Sequence, residues 1–456
     1  MGKGKREEER GMIAAKNETT GTTETTETTK TNGTTETELS QMSRSRMSCM
    51  SRVSRLREGW KTVKLGEISV DGGHYGIGAP AVEYDERLPT YLRITDIRDD
   101  GSICKEGLKS VDSEDAEEYY LKPNDLVIAR TGASTGRNYF YDGRDGDFVY
   151  AGFLIKFSID ENKIWPPYVK YWFKGDEYRS WLNNHTDGST RANINAVTLA
   201  ECPIRVPKSL PTQRKIAAVL GALDDKIENN RKICANLEAQ AQALFKSWFV
   251  DFEPWGGKMP KDWKMGKLGD VCCVSRNTIT PEEMPEIVEH YSLPAFDKNR
   301  LPSYEQSTTI KSNKFRVSKG SILISKLNPK IKRLWDPFVE TECAISSTEF
   351  VVIEPKEEKV REFVYSVLDS KSFESYASSH AAGTTNSHQR ISPEDILRYE
   401  IVLPTAEMLS RFSGFGKGLL AKRKELLKQS RSLAELRDAL LPKLMSGELD
   451  VSEVAV

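Results

Sequence analysis

The sequence predicts two similar α/β or α+β domains in tandem, separated by two long helices that pair antiparallel as a coiled coil, with pseudo-twofold symmetry. The first observation is a repeat. WKTVKLGEI begins at Trp60 and WKMGKLGDV begins at Trp263, and five of the nine positions are identical. The second observation is a heptad pattern of apolar residues after each copy. An internal repeat of this kind indicates a duplicated structural unit.

The similarity between the copies continues downstream of the two tryptophans. NDLVIAR (124–130) aligns with GSILISK (320–326), and FLIKFSI (153–159) aligns with EFVVIEP (349–355). These apolar runs predict buried strands, and the segments YVKYWF and FVYSVL that follow them each predict the opening of a helix. Strands that alternate with helices predict an α/β or α+β domain of about 145 residues in each copy.

Apolar residues at heptad spacing predict a long helix after each copy. The seam positions are Ile216, Leu220, Leu223, Ile227, Asn230, Leu237 and Leu244 in the first helix and Phe412, Leu419, Leu426, Leu433 and Leu440 in the second. A strict heptad indicates a coiled coil, because the pattern of a lone amphipathic helix drifts off this register. Asn230 is predicted either to set the register from a buried position or to be exposed at a frayed seam.

Domain boundaries follow from these patterns. A Thr/Glu-rich tail without apolar periodicity is predicted to be disordered, and whether residues 1–58 are translated stays open because Met47 or Met50 is a more natural start. The predicted segments are the tail 1–59, the domains 60–210 and 263–404, the helices 211–253 and 405–448, the linker 254–262 and the terminal residues 449–456. The first residue of the second helix stays open, because glycine is unfavourable inside a helix and the predicted start contains Gly414, Gly416 and Gly418.

Composition narrows the function. The net charge is −1, so any contact with nucleic acid must come from local patches. No stretch approaches the roughly 18–20 apolar residues of a membrane helix, and no secretory signal is apparent, so a cytoplasmic location is expected. The seven cysteines contain no CxxC pair, which predicts free thiols and no metal site. No catalytic residues are predicted.

Polar loops recur at equivalent places in both copies and predict DNA contacts. Arg, Lys, Asn, Gln, Ser and Thr are the side chains that contact base edges and phosphates. The candidates are Arg130, Thr131, Ser134, Thr135, Arg137, Asn138, Ser189, Thr190, Arg191, Asn193 and Asn195 in the first copy, and Lys326, Asn328, Lys330, Lys332, Arg333, Thr384, Thr385, Asn386, His388, Gln389 and Arg390 in the second. Two domains at fixed separation suit two DNA half-sites, whereas the simpler alternative is ordinary turns.

At this point the sequence resembles the specificity (S) subunits of type I restriction–modification enzymes. The repeated W-K-x-x-K-L-G string, YLRITDI (91–97), NDLVIARTG (124–132), the junction beginning LPTQRKIAAVLGALDDKIENN (210–230) and LRDALLPKLMSGEL (436–449) carry this resemblance. It implies two target-recognition domains that read a bipartite, asymmetric site on double-stranded DNA. It also implies docking of two methyltransferase (M) subunits and association with restriction (R) subunits, with S-adenosylmethionine (SAM), ATP and Mg on those partners and no cofactor in this chain.

Two rival functions stay open from the residues alone. A stand-alone SAM-dependent DNA adenine methyltransferase is suggested by FSGFG (412–416) and WPPY (165–168). However, a cofactor glycine loop should follow a strand, and Trp165 offers only a donor where an amide or carboxylate oxygen must accept a hydrogen bond from the extruded base. The other rival is a coiled-coil scaffold that binds protein partners without DNA specificity.

Overall fold

The computed structural model describes residues 58–186, 192–383 and 389–454. The tail predicted to be disordered therefore lies outside the described residues, apart from its last two positions. Within these ranges, no helix is long and apolar enough to cross a membrane.

In the described part of the first unit, short strands build three sheets that pack with small helices. The elements are β1 Trp60–Lys64, β2 Ser69–Tyr75, β3 Ala81–Val82, β4 Thr90–Leu92, β5 Lys109–Val111, β6 Asp125–Ala129, β7 Asn138–Tyr141, β8 Phe148–Tyr150, β9 Leu154–Ile159, α1 Pro166–Trp172, α2 Asp176–His185, α3 Ala196–Ala200 and β10 Pro203–Pro207, followed by the long helix α4 Leu210–Phe249. The sheet orders are β2-β9-β6-β7, β3-β5-β4-β8 and β1-β10.

The second unit is built in the same way. Its elements are β11 Lys264–Lys267, α5 Leu268–Val271, β12 Cys272–Val274, β13 Thr278–Ile279, β14 Ile287–Tyr291, α6 Leu293–Asn299, β15 Ser303–Gln306, β16 Lys314–Arg316, β17 Ile322–Ser325, β18 Leu334–Trp335, β19 Ala344–Ser346, β20 Phe350–Pro355, α7 Arg361–Asp369, α8 Lys371–Ser379, α9 Pro393–Arg398 and β21 Glu400–Leu403, followed by α10 Ala406–Ser446. The sheet orders are β12-β20-β17-β18, β13-β16-β19-β14-β15 and β11-β21.

The strand orders confirm the predicted duplication. The sheet β12-β20-β17-β18 repeats the order of β2-β9-β6-β7, and among the strands described each unit contains one parallel pair, β4 with β8 and β14 with β19. The strand that carries the repeated tryptophan motif pairs antiparallel with the strand that closes its unit, β1 with β10 and β11 with β21. The two ends of each unit are therefore adjacent, which is the arrangement expected of a self-contained domain.

The apolar cores of the two units both include residues from the long helices. The core of the first unit takes Ile216, Ala217 and Leu220 from α4 and Leu441, Leu444 and Met445 from α10. The core of the second unit takes Phe245 and Phe249 from α4 and Leu409, Phe412 and Leu420 from α10. Each helix is thus anchored at both ends by burial of large apolar side chains, which makes the helix pair a rigid connection.

The helix pair is antiparallel, as predicted. Residue numbers rise along α4 while those of their partners fall along α10. Successive contacts are Asp224 with Arg437 at 2.8 Å, Asn230 with Gln429 at 2.8 Å, Glu238 with Arg423 at 2.6 Å and Phe245 with Phe412, whose ring centroids are 6.3 Å apart. A 40-residue helix is about 60 Å long, so the pair fixes a separation on that scale.

The predicted seam residues differ in burial. Ile216, Leu220, Asn230, Phe412 and Leu426 are buried, whereas Leu223, Ile227, Leu237, Leu244, Leu419, Leu433 and Leu440 are half-buried. Two helices alone cannot surround every seam side chain, which explains the partial exposure. Asn230 is fully buried rather than exposed, and its Nδ2 donates to Gln429 Oε1 at 2.8 Å and to Ser430 Oγ at 3.3 Å. Polar pairing at this position is what a register-setting Asn requires.

The ends of the helices differ slightly from the predicted boundaries. Helix α4 ends at Phe249 instead of residue 253, because Phe252 adopts a left-handed φ of 54°. Helix α10 begins at Ala406, where the Thr405 hydroxyl accepts the Met408 N–H at 3.4 Å. Its glycines are helical, and Gly416 allows close approach to α7, since a Cβ there would lie 2.9 Å from Glu362 Cβ.

Acidic residues of the second unit attach it to α10. Glu340 accepts hydrogen bonds from Lys428 and Arg431 of α10, at 2.7 Å and 3.2 Å, and from Tyr304 at 2.5 Å. Burial alone would raise the pKa of Glu340, but these three donors outweigh it and lower the pKa to about 2. The ionised carboxylate is therefore the form that holds the unit to the helix.

Acid should weaken this attachment. Because the folded-state pKa of Glu340 is depressed, its contribution is complete above the ordinary value of 4.5 and is lost as the pH falls toward 2. Between pH 6 and pH 3 we expect the wild type to lose about 2 kcal/mol more of unfolding free energy than Glu340→Gln, in which the position cannot titrate. Calorimetry on both proteins tests this. Parallel pH profiles of the two proteins would contradict the assignment.

Candidate nucleic-acid interface

The two polar loops predicted in the first unit lie against each other. The Gly132 N–H donates to the Ala192 carbonyl at 3.0 Å, and the Ile194 N–H donates to the Arg130 carbonyl at 2.9 Å. Thr131 and Asn193 form an isolated antiparallel bridge between these bonds. We name residues 130–138 together with 192–195 the first loop junction. Two segments separated in sequence thus form one surface at the end of β6.

The second unit has the equivalent backbone hydrogen bonds between its two polar loops. The Asn328 N–H donates to the Gln389 carbonyl at 2.8 Å, and the Ile391 N–H donates to the Lys326 carbonyl at 3.1 Å. Leu327 and Arg390 form the equivalent bridge. We name residues 326–333 together with 389–392 the second loop junction. The scaffold is therefore conserved between the units, while the side chains it presents are different.

Arg130 is the most distinctive side chain of the first loop junction. Its guanidinium carbon lies 4.9 Å from the ring centroid of Tyr75, a cation–π distance that holds the side chain in place. Its buried Nε has no hydrogen-bond partner among the described residues. A guanidinium held in position in this way is suited to an anionic or acceptor-rich ligand.

The other candidates of the first loop junction divide into two groups. Asn193 is exposed, and Asn195 is exposed but caps α3, with its Oδ1 accepting the Thr198 N–H at 2.8 Å. The second group makes contacts within the fold. Thr135 donates to Gly132 and Ala192 carbonyls, Arg137 pairs with Asp99 at 2.6 Å, Ser134 is buried, and Asn138 donates to the Gly136 and Phe173 carbonyls. These last four hold the loop in shape.

In the second loop junction, ion pairs hold several of the predicted cations. Arg390 donates two hydrogen bonds to Glu349, both at 3.1 Å, and this pairing raises the pKa of Arg390. Arg333 is held bidentate by Asp297 at 2.6 and 2.9 Å. Lys332 pairs with Asp369 at 2.8 Å, whose own pKa is raised by burial against the opposing effect of that lysine. These carboxylates orient the cations but also neutralise part of their charge.

The remaining candidates of the second unit are less constrained. Lys330 is exposed and Lys326 is half-buried. Asn328 has a left-handed φ of 47°, and its Oδ1 is buried without a hydrogen-bond partner among the described residues, as is Gln389 Oε1. Several predicted residues lie outside the described residues, namely Ser189, Thr190, Arg191, Thr384, Thr385, Asn386 and His388.

Three residues of these surfaces were not predicted. Tyr75 lies beneath Arg130, Phe153 accepts the Arg130 N–H with its carbonyl at 3.0 Å, and Glu349 holds Arg390. Nothing in a polar-loop pattern points to them, because two are aromatic and all three lie far from their partners in sequence. The alignment of FLIKFSI with EFVVIEP is the one sequence signal available, since it shows that Phe153 and Glu349 occupy equivalent positions in the two copies.

The strings that suggested a methyltransferase are ordinary structural elements. FSGFG lies inside helix α10, which begins at Ala406, and not in the loop between β21 and that helix. In WPPY, Pro166 begins α1 and Tyr168 is fully buried, with its hydroxyl donating to the Arg205 carbonyl at 2.9 Å. Neither string forms the cofactor loop or base pocket that the methyltransferase alternative needs.

Comparison with known proteins assigns the family. The model of the type I restriction modification DNA specificity domain matches residues 57–239 and again residues 260–429. The chain belongs to this type I restriction–modification specificity family. The two matches coincide with the duplicated units and their helices, and the chain has the role of a DNA specificity subunit in such a system.

Individual relatives agree with this assignment. The chain is 30% identical over 317 residues to the type I restriction enzyme MjaIX specificity subunit of Methanocaldococcus jannaschii, covering 65% of this chain and 72% of that one. It is 21% identical over 409 residues to the HindI specificity subunit of Haemophilus influenzae, covering 72% and 87%. A solved S subunit from M. genitalium is similar in fold, with 16% identity, a TM-score of 0.50 and coverage of 86% and 97%.

Proposed function

We propose that the specificity subunit reads a bipartite, asymmetric site on double-stranded DNA, with one loop junction on each half-site. The observation that carries this is the repetition of one backbone-paired junction in both units with different side chains. A retained scaffold that presents changed donors fits two readers of different base sequences. The antiparallel helices hold the readers apart, so the bases between the half-sites go unread.

We further propose that partner subunits carry out the chemistry. Two M subunits would dock on the helix pair and R subunits would join them, with SAM, ATP and Mg bound by those partners. The net charge of −1 supports a role for partner subunits in DNA binding, because affinity for the phosphates then depends on basic surfaces that the partners supply. The cytoplasmic location expected from the sequence stays a prediction.

Methylome sequencing of the host with and without this gene tests the proposal. A bipartite motif should be methylated in the wild type and unmethylated in the deletion strain. A methylome that does not change, or a motif without an unread gap, would argue against it. Two further assays address the rival functions: SAM binding by the isolated chain would support an autonomous methyltransferase, and a complex with M subunits that retains no DNA sequence selectively would support a scaffold.

Arg130→Ala should weaken binding of the assembled complex to its own site by about 1–3 kcal/mol, if the guanidinium contacts a base edge or a phosphate. Arg87→Ala is the matched control, since that arginine is exposed, lies outside the loop junction and is already paired with Asp85 at 3.0 Å. Fluorescence anisotropy with a duplex that carries the methylated motif measures both. Equal effects of the two substitutions would remove Arg130 from the interface.

A further inference from the structure

Phe153 and Glu349 occupy the same place in the two loop junctions. The Phe153 carbonyl accepts the Arg130 N–H and the Glu349 carbonyl accepts the Lys326 N–H, both at 3.0 Å. In such an antiparallel pairing, directly opposed residues have neighbouring side chains on the same face. Each junction therefore presents the side chain at this position beside its first basic residue. In one unit that side chain is apolar and aromatic, and in the other it is a carboxylate.

Phe153 is an exposed aromatic ring in a polar setting. It is 59% exposed, and Tyr75, which lies beneath Arg130, is 42% exposed. The Arg130 Nε beside it has no partner among the described residues. Asn193 is exposed on the segment that bridges Thr131. An exposed apolar ring beside a positioned guanidinium and an exposed amide is suited to a ligand that combines an apolar group with donors and acceptors.

The second loop junction presents different chemistry at the same positions. Arg390 stands where Asn193 does, since the bridges Thr131–Asn193 and Leu327–Arg390 are equivalent. Glu349 binds Arg390 through two hydrogen bonds of 3.1 Å. At these positions the second unit therefore offers an oriented cation and, in place of the aromatic ring, a carboxylate. An oriented guanidinium suits the acceptors of guanine, whereas an amide and an apolar ring suit adenine and thymine.

We propose that Phe153 contacts the 5-methyl group of a thymine in the half-site of the first unit, and that the second unit lacks this contact because Glu349 occupies the position. The proposal rests on the proposed function of reading DNA. Among the four bases only thymine carries a methyl group in the major groove, and apolar side chains recognise it by direct contact. Tyr75 would act as a positioning residue that holds Arg130 alongside.

Thymine-to-uracil replacement tests this contact, because it removes the methyl group and leaves base pairing intact. Duplexes with the methylated motif, each with one thymine of the first half-site replaced by deoxyuridine, are titrated with the complex of this chain and its M subunits. At one position uracil should weaken binding about fourfold, the factor that corresponds to burial of one methyl group. Phe153→Ala should bind the thymine duplex more weakly by a similar factor and should no longer distinguish thymine from uracil.

The controls separate the contact from general damage. Phe153→Leu should keep part of the thymine preference, and Glu349→Ala should keep all of it in the first half-site. The inference is overturned if no uracil position weakens binding, if the half-site contains no A·T pair, or if Phe153→Ala still distinguishes the two bases. Loss of M-subunit assembly in Phe153→Ala without loss of that distinction would also overturn it and assign the ring to protein docking. If the wild-type complex fails to prefer its motif over a scrambled duplex, the proposed function itself fails.

Discussion

Inserting one heptad into both long helices, at the level where Asn230 meets Gln429, should lengthen the unread gap of the DNA motif without changing either half-sequence. Seven helical residues add about 10.5 Å, which corresponds to at most about three base pairs at 3.4 Å each. Insertion in both helices keeps the antiparallel register, and seven residues nearly preserve the facing of the seam. DNA twist then selects which of the longer gaps is accepted.

The variant should lose much of its binding affinity for the DNA motif with the original gap. A complex that can engage only one half-site loses the base contacts of the other, at about 1–3 kcal/mol for each base pair. We expect binding of the original motif to weaken at least about 100-fold, measured with a set of duplexes that differ only in gap length. Size-exclusion chromatography with M subunits verifies assembly of the variant. An unchanged gap, or a change in either half-sequence, would contradict a spacer role for the helices.

Asp336→Asn should be among the most destabilising single substitutions in the second unit. Asp336 is 2% exposed and pairs with Arg361 of α7 and with Lys424 of α10, the latter at 2.7 Å. Burial lowers the pKa of Lys424, and the Asp336 carboxylate opposes that effect. Removing the carboxylate charge leaves Lys424 without its counter-ion and leaves Arg361 with only the longer contact to Glu362, at 3.6 Å, so we expect a loss of about 3–5 kcal/mol.

A surface ion pair between the second unit and α10 gives the matched control. Lys417 of α10 pairs with Glu358 at 2.9 Å, and both side chains are mostly exposed. Glu358→Gln should leave the unfolding midpoint unchanged, because exposed pairs contribute little. Calorimetric unfolding of Asp336→Asn, Glu358→Gln and the wild type compares them. If Asp336→Asn unfolds at the same temperature as Glu358→Gln, the buried cluster does not hold the second unit to the helix.

The features predicted well from the sequence are those with a local period or an internal copy. The repeat at Trp60 and Trp263 fixed the duplication, and the seven-residue spacing from Phe412 to Leu440 fixed the second helix. Both signals can be recognised in the sequence because the periodicity of strands and helices depends on residues that are close together in the chain. The antiparallel direction followed from connectivity, since the second helix must return past the first.

The features that were missed depend on contacts between distant residues. Arg137 and Arg333 are of the residue type that contacts DNA bases. In the fold, however, Arg137 is paired with Asp99, and Arg333 is paired with Asp297. Conversely, the sequence predicts Phe153 only as part of a strand, and the fold shows that its ring is exposed. Whether a loop cation faces solvent or a carboxylate is decided by tertiary packing, which residue type and spacing do not encode.

Exchange of residues 60–207 for the equivalent segment of another family member tests the central claim most directly. The exchanged segment begins and ends at adjacent residues, because Trp60 and Pro207 are partners in the β1–β10 pair. Methylome sequencing of a strain that carries the chimera should show one half of the bipartite motif replaced, with the other half and the orientation of the motif kept. A chimera that assembles but changes both halves, or neither, would contradict the existence of two independent readers held apart by the paired helices.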